Sequence, residues 1–268
     1  MKKKMINKIF VISFRNRINL FKTLLINFML FPISKAIHFP IFIYGKCRFR
    51  VLDGSVELSA PIKKGMLKIG TSDPSRSAFS KSYISLSGKL TIGDNVVLRR
   101  GIHLNIEKNG SLILRNDVFI SDNCSITSKC KIEIGEKTRV GNNVDFLDTD
   151  FHYMINKSTH KIETNTGAIE IGIGNWIGAH SIIKKNTKTP NYTIVAGPFS
   201  MLSKDYTKII SEYSCIGGSP AKLIAEGLRR INNDKSEQIL DKHFSMTQET
   251  FVLKTESSFE DFCSPNHL

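Results

Sequence analysis

The sequence predicts an all-β solenoid, a parallel β-helix led by a helical segment and closed by a C-terminal helix. Three observations carry that prediction. An inward-type residue returns every six positions at Ile171, Ile177, Ile183, Thr189, Val195 and Met201. Neither the three-and-four spacing of a helix nor the alternation of a half-buried strand produces that period. It is the beat of a parallel β-helix, in which each hexad supplies one short strand and one corner and three hexads close a triangular coil. The same beat runs earlier through Ile92, Leu98 and Leu104, then Leu114, Ile120 and Ile126, then Ile134, Val140 and Phe146, offset by short insertions. Finally, Gly93, Gly135, Gly141 and Gly178 each follow an inward residue, where a tight corner favours a residue without a Cβ. The residue two before each inward position should be small. Ser181, Thr187 and Thr193 obey this, and Phe199 does not.

In chain order, residues 1 to 45 form a basic, apolar and helical lead punctuated by Pro32 and Pro40. Lys2, Lys3 and Lys4 precede an apolar run at Ile9 to Ile12, but Arg15 and Arg17 interrupt it. No small-residue cleavage site follows, which argues against a secretory signal. The run from Ile18 to Phe31 is more apolar. As a helix it reaches only about 21 Å, short of a hydrocarbon core of about 30 Å. Its Leu20, Phe21, Leu24, Leu25, Phe28 and Met29 suit either a peripheral membrane contact or packing on the solenoid or a neighbouring subunit. Residues 46 to 220 form the solenoid, irregular through Leu52 to Ile92, with a loop at Ser72 to Ser80. After Ser219-Pro220, Ala221 to Leu240 reads as a helix with Leu223, Ile224, Leu228 and Ile231 on one face. Such a helix would cover the unpaired backbone of the last coil. The remainder of residues 221 to 268 is a further helix or a tail.

Composition narrows the function. The chain has 268 residues, 41% of them hydrophobic, and a net charge of +14, so it is globular and suited to an anionic partner. A phosphorylated cofactor, an acidic polysaccharide and a membrane surface all qualify. Nucleic acid does not fit, because beyond Lys2 to Lys4 the basic residues are scattered and no zinc-finger or RNA-binding motif accompanies them. The five cysteines form an odd set without a CxxC pair, which points away from a disulfide framework or thiolate zinc site and towards a reducing cytoplasm.

One interruption bears on chemistry. Between Phe146 and Ile169 the beat stops, and an excursion at 147 to 168 carries Asp148, Asp150, His152 and His160. A repeat protein that tolerates a long excursion in one place generally uses it for function.

The DTDFH stretch at 148 to 152, NWIGAHSII at 175 to 183, SKD at 203 to 205 and GGSPAKLI at 217 to 224 resemble the hexapeptide-repeat acyltransferases. The similar branch includes maltose and galactoside O-acetyltransferases and the O-acetyltransferases of bacterial surface polysaccharides. With the coils, these motifs cover about residues 92 to 225. The lead, through AIHFPIFIYGK at 36 to 46, also resembles the front end of polysaccharide-modifying members. The resemblance implies a left-handed winding, a homotrimer with active sites between subunits, acetyl-CoA as acyl donor and a saccharide hydroxyl as acceptor. No metal is implied.

A sugar hydroxyl is a weak nucleophile near neutrality and needs a base with a pKa of about 7 within hydrogen-bond reach. By its place in the motif, His152 is that base. Asp148 and Asp150 either orient it or bind the sugar, and the alternative is that they are turn residues. Asn123, one coil earlier, matches an asparagine that touches the acceptor, beside the alternative of a plain corner residue. Trp176, the single tryptophan, matches the family's tryptophan beside the acetyl-CoA arm. The Ala179 backbone N–H matches a cofactor contact, and Ser203, Lys204 and Lys222 match positions near the CoA nucleotide and phosphates.

Pro198 departs from the pattern, because it stands where relatives offer a second backbone N–H and proline has none. Either the cofactor arm shifts, the alignment slips there, or the donor binds differently. Lys184, Lys185 and Lys188 offer compensating charge. Two other classes stand beside the enzyme. One is a non-catalytic scaffold or binding module. The other is a zinc enzyme of the γ-carbonic-anhydrase kind, for which His103, His152 and His180 would be the ligands to consider.

Overall fold

The computed structural model describes residues 17–72, 80–253 and 258–264. Among these residues the strands gather into sheets of nine, seven and five strands, and the chain visits the three sheets in rotation. Ile41–Ile43 (β1) opens the nine-stranded sheet, Cys47–Leu52 (β2) the seven-stranded sheet and Ser55–Leu58 (β3) the five-stranded sheet. Leu67–Thr71 (β4) then returns to lie parallel to β1. Successive circuits repeat this step, so neighbours in each sheet are parallel as far as the last circuit. The result is a stack in which one column of side chains runs the length of the molecule. In the nine-stranded sheet that column is Ile69, Leu98, Ile120, Val140, Ile177, Val195 and Ile216, in register and at most 2% exposed.

The cause lies in the pattern within each strand. In Lys89–Ile92 (β6), Leu90 and Ile92 are buried while Lys89 is exposed and Thr91 is half-buried, the alternation a pleated strand imposes. Two or three alternating residues plus a corner make the six-residue beat. The corner glycines matter for close approach rather than for an unusual backbone angle. A Cβ on Gly141 would lie 2.6 Å from the Ala179 nitrogen, and one on Gly178 would lie 2.4 Å from the Gly197 nitrogen.

The register differs from the expected beat at one place. Leu202, not Met201, points inward, for Ile183 pairs with Leu202 and Leu202 is fully buried. The turn at Gly197, Pro198 and Phe199 adds one residue, which moves the small corner position from Phe199 to Ser200. Phe199 is 72% exposed and Ser200 is 1% exposed. The Ser200 hydroxyl donates to the Ala196 carbonyl and accepts the Gly218 N–H at 3.1 Å.

Both ends also depart from expectation. The lead contains the helices Leu20–Leu30 (α1) and Ile33–Ala36 (α2), but Ile41–Ile43 within it is already a sheet strand. At the other end, the helix expected from Ala221 is absent. Lys222–Ala225 (β21) instead pairs antiparallel with Cys215–Gly217 (β20), and a helix begins only at Asp234 and runs to Met246 (α3). The last circuit's unpaired backbone is covered by a strand, because that edge offers hydrogen bonds a helix would leave unmade. Asn233 caps α3, its side-chain oxygen accepting the Lys235 and Ser236 N–H groups. Most of the loop expected at Ser72 to Ser80 lies outside the described residues, as do Lys2 to Lys4 and Ile9 to Ile12.

Candidate active site

Between Asp145–Leu147 (β14) in the seven-stranded sheet and Ile169–Ile171 (β15) in the five-stranded sheet, the chain leaves the stack and returns. The two limbs of this excursion face each other. Thr149 bridges Thr166 and Ile155 bridges Ile162, both antiparallel, and the Asp150 N–H donates to the Asn165 carbonyl at 2.8 Å. The tip turns on Asn156, whose side-chain oxygen accepts the Ser158 and Thr159 N–H groups at 3.0 and 2.9 Å.

Two carboxylates fasten the base of this ribbon. Asp148 is 0% exposed. Its carboxylate accepts the Ser128 hydroxyl at 2.9 Å, the Lys129 N–H at 2.8 Å and the Cys130 N–H at 2.9 Å. Both oxygens are thus spent on the corner one circuit earlier, and the expectation that Asp148 binds sugar gives way to an anchoring role. Asp150 is clasped by Lys184 and Lys185, each with its ammonium 3.0 Å from a carboxylate oxygen. Lys185 also donates to the Thr164 carbonyl at 2.8 Å, so one side chain ties both limbs to the stack. Lys188 pairs with Glu170 at 3.0 Å. The lysine face expected to compensate for Pro198 is therefore engaged with carboxylates.

The hydrogen bond from Lys185 is the largest cause holding the Asp150 carboxyl below its usual range; burial pushes it upward, and the hydrogen bond and charge of Lys184 add to the lowering. A depressed carboxyl adds stability above its unfolded value of about 3.9 and withdraws it as pH falls through the folded value. The clasp should therefore stay intact from neutrality to about pH 4 and open only in stronger acid. The amide chemical shifts of Asp150 and Gly167 read this directly, and a transition between about pH 7 and 5 would contradict it.

His152 sits on the fastened limb with its N–H donating to the Asp150 carbonyl at 2.7 Å. Its ring is exposed and lines an open cavity of about 370 Å³ with Asn156, Glu163, Thr164, Asn165 and Lys185 among its walls. The backbone is held while the imidazole faces solvent, which is how a base must stand to meet an incoming hydroxyl. The cysteines offer no rival nucleophile of that kind, for burial pushes the Cys47 and Cys124 thiols up to about 12.

The other expected residues lie elsewhere in the chain. Asn123, with φ of 58°, and His180, with φ of 60°, occupy the corner between the nine- and seven-stranded sheets. Ala179 precedes His180 there, and neither the Ala179 nor the Gly197 N–H finds a backbone acceptor among the described residues. With the register moved by one residue, Gly197 is the glycine that packs on Ala179, and it carries the N–H that Pro198 lacks. Trp176, 41% exposed, projects outward from Trp176–Ile177 (β16). The Arg230 guanidinium lies 5.1 Å from its ring centre, a neighbour that no spacing in the sequence announces. Lys222 is exposed on β21 beside Gly217. Ser203 and Lys204 follow Met201–Leu202 (β19), at the same corner as the excursion.

The nine-to-seven corner and the excursion stand at opposite ends of the seven-stranded sheet's strands. Three residues of strand, Ile182–Lys184 (β17), separate them, or about 10 Å of backbone. Neither Trp176 nor Ala179 lines the cavity beside His152. The three histidines considered for zinc are likewise dispersed. His103 meets the Tyr83 ring at 6.1 Å, and His180 meets the Asn143 amide at 3.3 Å. Among the described residues no group of three His, Cys, Asp or Glu side chains is placed to hold a metal ion.

No family model matches the chain. Among curated proteins it is similar to an uncharacterized 24.8 kDa protein in the cps region of Klebsiella pneumoniae, 31% identical over 90 residues. That match covers 34% of this chain and 39% of the relative, so it spans well under half of the relative's length. Among solved structures it is similar to the polySia-specific acetyltransferase NeuO, at 19% identity and a TM-score of 0.38 over 80% of this chain and 91% of that one. Galactoside acetyltransferase in complex with coenzyme A gives 20% identity and a TM-score of 0.36 over 47% and 57% of the two chains. A hexapeptide-repeat acetyltransferase of Vibrio cholerae O1 biovar eltor, complexed with acetyl coenzyme A, gives 14% and 0.36 over 76% and 83%. Each overlap is partial, and the chemistry of the site rests on the chain's own residues.

Proposed function

We propose that the chain is an acyl-CoA-dependent O-acetyltransferase that moves an acetyl group from acetyl-CoA to a saccharide hydroxyl. The observation that carries this reading is the anchored excursion, whose limb holds the His152 backbone through the Asp150 carbonyl and leaves its side chain open to a cavity. The pathway we assign is capsule, exopolysaccharide or lipopolysaccharide biosynthesis in the cytoplasm, supported by the motif resemblance and by the relative in a cps region.

In this reading the acceptor's hydroxyl proton passes to a His152 ring nitrogen as its oxygen bonds to the thioester carbonyl carbon. The carbon–sulfur bond then breaks, and the proton returns from the imidazolium to the departing thiolate. A sugar ester and a free thiol result, with His152 neutral again. Oriented backbone N–H groups steady negative charge where it develops, and those of Ala179 and Gly197 lack backbone acceptors among the described residues. Trp176 shapes the slot for the donor's arm, and Lys222, Ser203 and Lys204 face its phosphates. Asn123 touches the acceptor.

His152 follows β14 and Ala179 precedes the neighbouring β17, at opposite ends of the paired strands, which supports a site completed by a second copy. The working unit is then a homotrimer with sites in the clefts between subunits, and the winding is left-handed as the motifs imply. The test is release of free CoA thiol from acetyl-CoA with saccharide acceptors, the ester being identified by mass spectrometry. Saturable turnover is expected, and no saturable acetyl-CoA binding by calorimetry would overturn the reading.

A further inference from the structure

Helix α1 is turned against the usual rule. A helix on the outside of a soluble protein lays its apolar stripe on the core. Here the buried face carries Thr23 and Asn27, 4% and 0% exposed, beside Ile26. These polar side chains satisfy the open edge of β1. The Asn27 amide donates to the Ile41 carbonyl at 2.7 Å, its oxygen accepts the Ile41 N–H at 3.1 Å, and the Thr23 hydroxyl oxygen accepts the Ile43 N–H at 3.1 Å. An edge strand that would otherwise invite pairing is thereby closed.

The consequence is an apolar face turned outward. Leu20 and Phe21 are 71% and 73% exposed, Leu24 and Phe28 46% each, and Met29 55%. The following α2 adds Ile33, 73% exposed, and Ile37 just beyond it is 55% exposed. Contiguous exposure of this kind marks a surface meant to be covered.

Charge identifies the cover. Residues 1 to 52 hold eleven lysines and arginines and no acidic residue, Asp53 being the first. Lys35, Lys46, Arg48 and Arg50 are exposed on the elements around α1, which packs on β1 and β2. An apolar stripe with basic flanks fits the plane of a bilayer whose headgroups are negative. A second copy of the same face would set like charges against each other. Among the described residues no helix is long and apolar enough to cross a membrane.

We propose that the outward face of α1 and α2 docks the protein on the surface of an anionic phospholipid bilayer, with the helix lying in the interface. This goes beyond the transfer reaction and stands independently of it.

The experiment is sedimentation of the full chain with vesicles of phosphatidylglycerol and phosphatidylcholine in equal parts, with vesicles of phosphatidylcholine alone, and with the mixed vesicles at high salt. The variant is Phe21→Ser with Leu24→Ser and Phe28→Ser, three exposed positions, and its thermal melt verifies folding. Wild type should sediment with the mixed vesicles, release in high salt and bind the neutral vesicles weakly. The variant's partition coefficient should fall about tenfold or more. Failure of wild type to bind the mixed vesicles, or equal binding by the variant, would overturn the proposal. So would a variant that binds as wild type does yet has a smaller particle mass by light scattering, since the face would then lie between copies.

Discussion

Replacing His152 by alanine is expected to lower kcat for acetyl transfer by about 10²–10⁴-fold, the usual worth of a positioned general base. The change should fall on kcat, with the KM for acetyl-CoA nearly unchanged, because the proton is taken only as the new bond forms. The structure makes this a clean substitution. The ring is exposed, and the hydrogen bond that fixes the residue, from its N–H to the Asp150 carbonyl at 2.7 Å, belongs to the backbone and survives it. Stability should therefore move by no more than about 0.5 kcal/mol. Steady-state kinetics on the purified variant decide the matter, and wild-type turnover would remove His152 from the mechanism.

The second large effect lies one step back from the chemistry. Asp148→Ala removes a buried carboxylate that accepts from Ser128, Lys129 and Cys130. Two backbone N–H groups lose their acceptor, and each left unsatisfied costs about 1–3 kcal/mol. A loss of about 3–5 kcal/mol is expected, large for one substitution. The Gly167 N–H donates to the Asp148 carbonyl at 2.9 Å, so the same residue ties the returning limb, and kcat should fall with stability. Asp148→Asn keeps an acceptor and should recover part of both. Chemical denaturation of the two variants measures this, and an unaltered midpoint for Asp148→Ala would show that the corner does not depend on the carboxylate.

Much of the stack was legible in the sequence, because an inward residue is fixed by distance along the strand and the beat records that distance. Ile177, Ile183 and Val195 fall where the beat puts them. The beat failed at Met201 because one residue is inserted at the turn before it, which strict counting cannot register. Ser200, a small residue two before Leu202, is the signal that would have found the slip. Leu223, Ile224, Leu228 and Ile231 look helical because their spacing is helical. Yet the open edge of β20, only a few residues back in the chain, competes for that segment, and pairing with an edge leaves no mark in the spacing of apolar residues.

The candidate site divides along the same line. His152 was recognisable by its motif, whereas the partners of Asp148 and Asp150 were not. Lys184 and Lys185 read as charge compensating for Pro198, and only the folding of the excursion onto the seven-stranded sheet brings Asp150 to them. Arg230 meets Trp176 across 54 positions of chain, with no motif to link them.

The most direct measurement of the central idea, a base and a donor pocket brought together from two copies, is a mixing experiment. His152→Ala lacks the proposed base, and Ala179→Glu sets a carboxylate beside the Ala179 and Gly197 N–H groups, where the proposed donor's arm would lie. Each variant assembled alone should be inactive. Co-assembled, with mixed particles verified by native mass spectrometry, they should regain acetyl transfer, because some clefts then join an intact His152 to an intact Ala179. Mixed particles as inactive as their components would contradict a site shared between subunits.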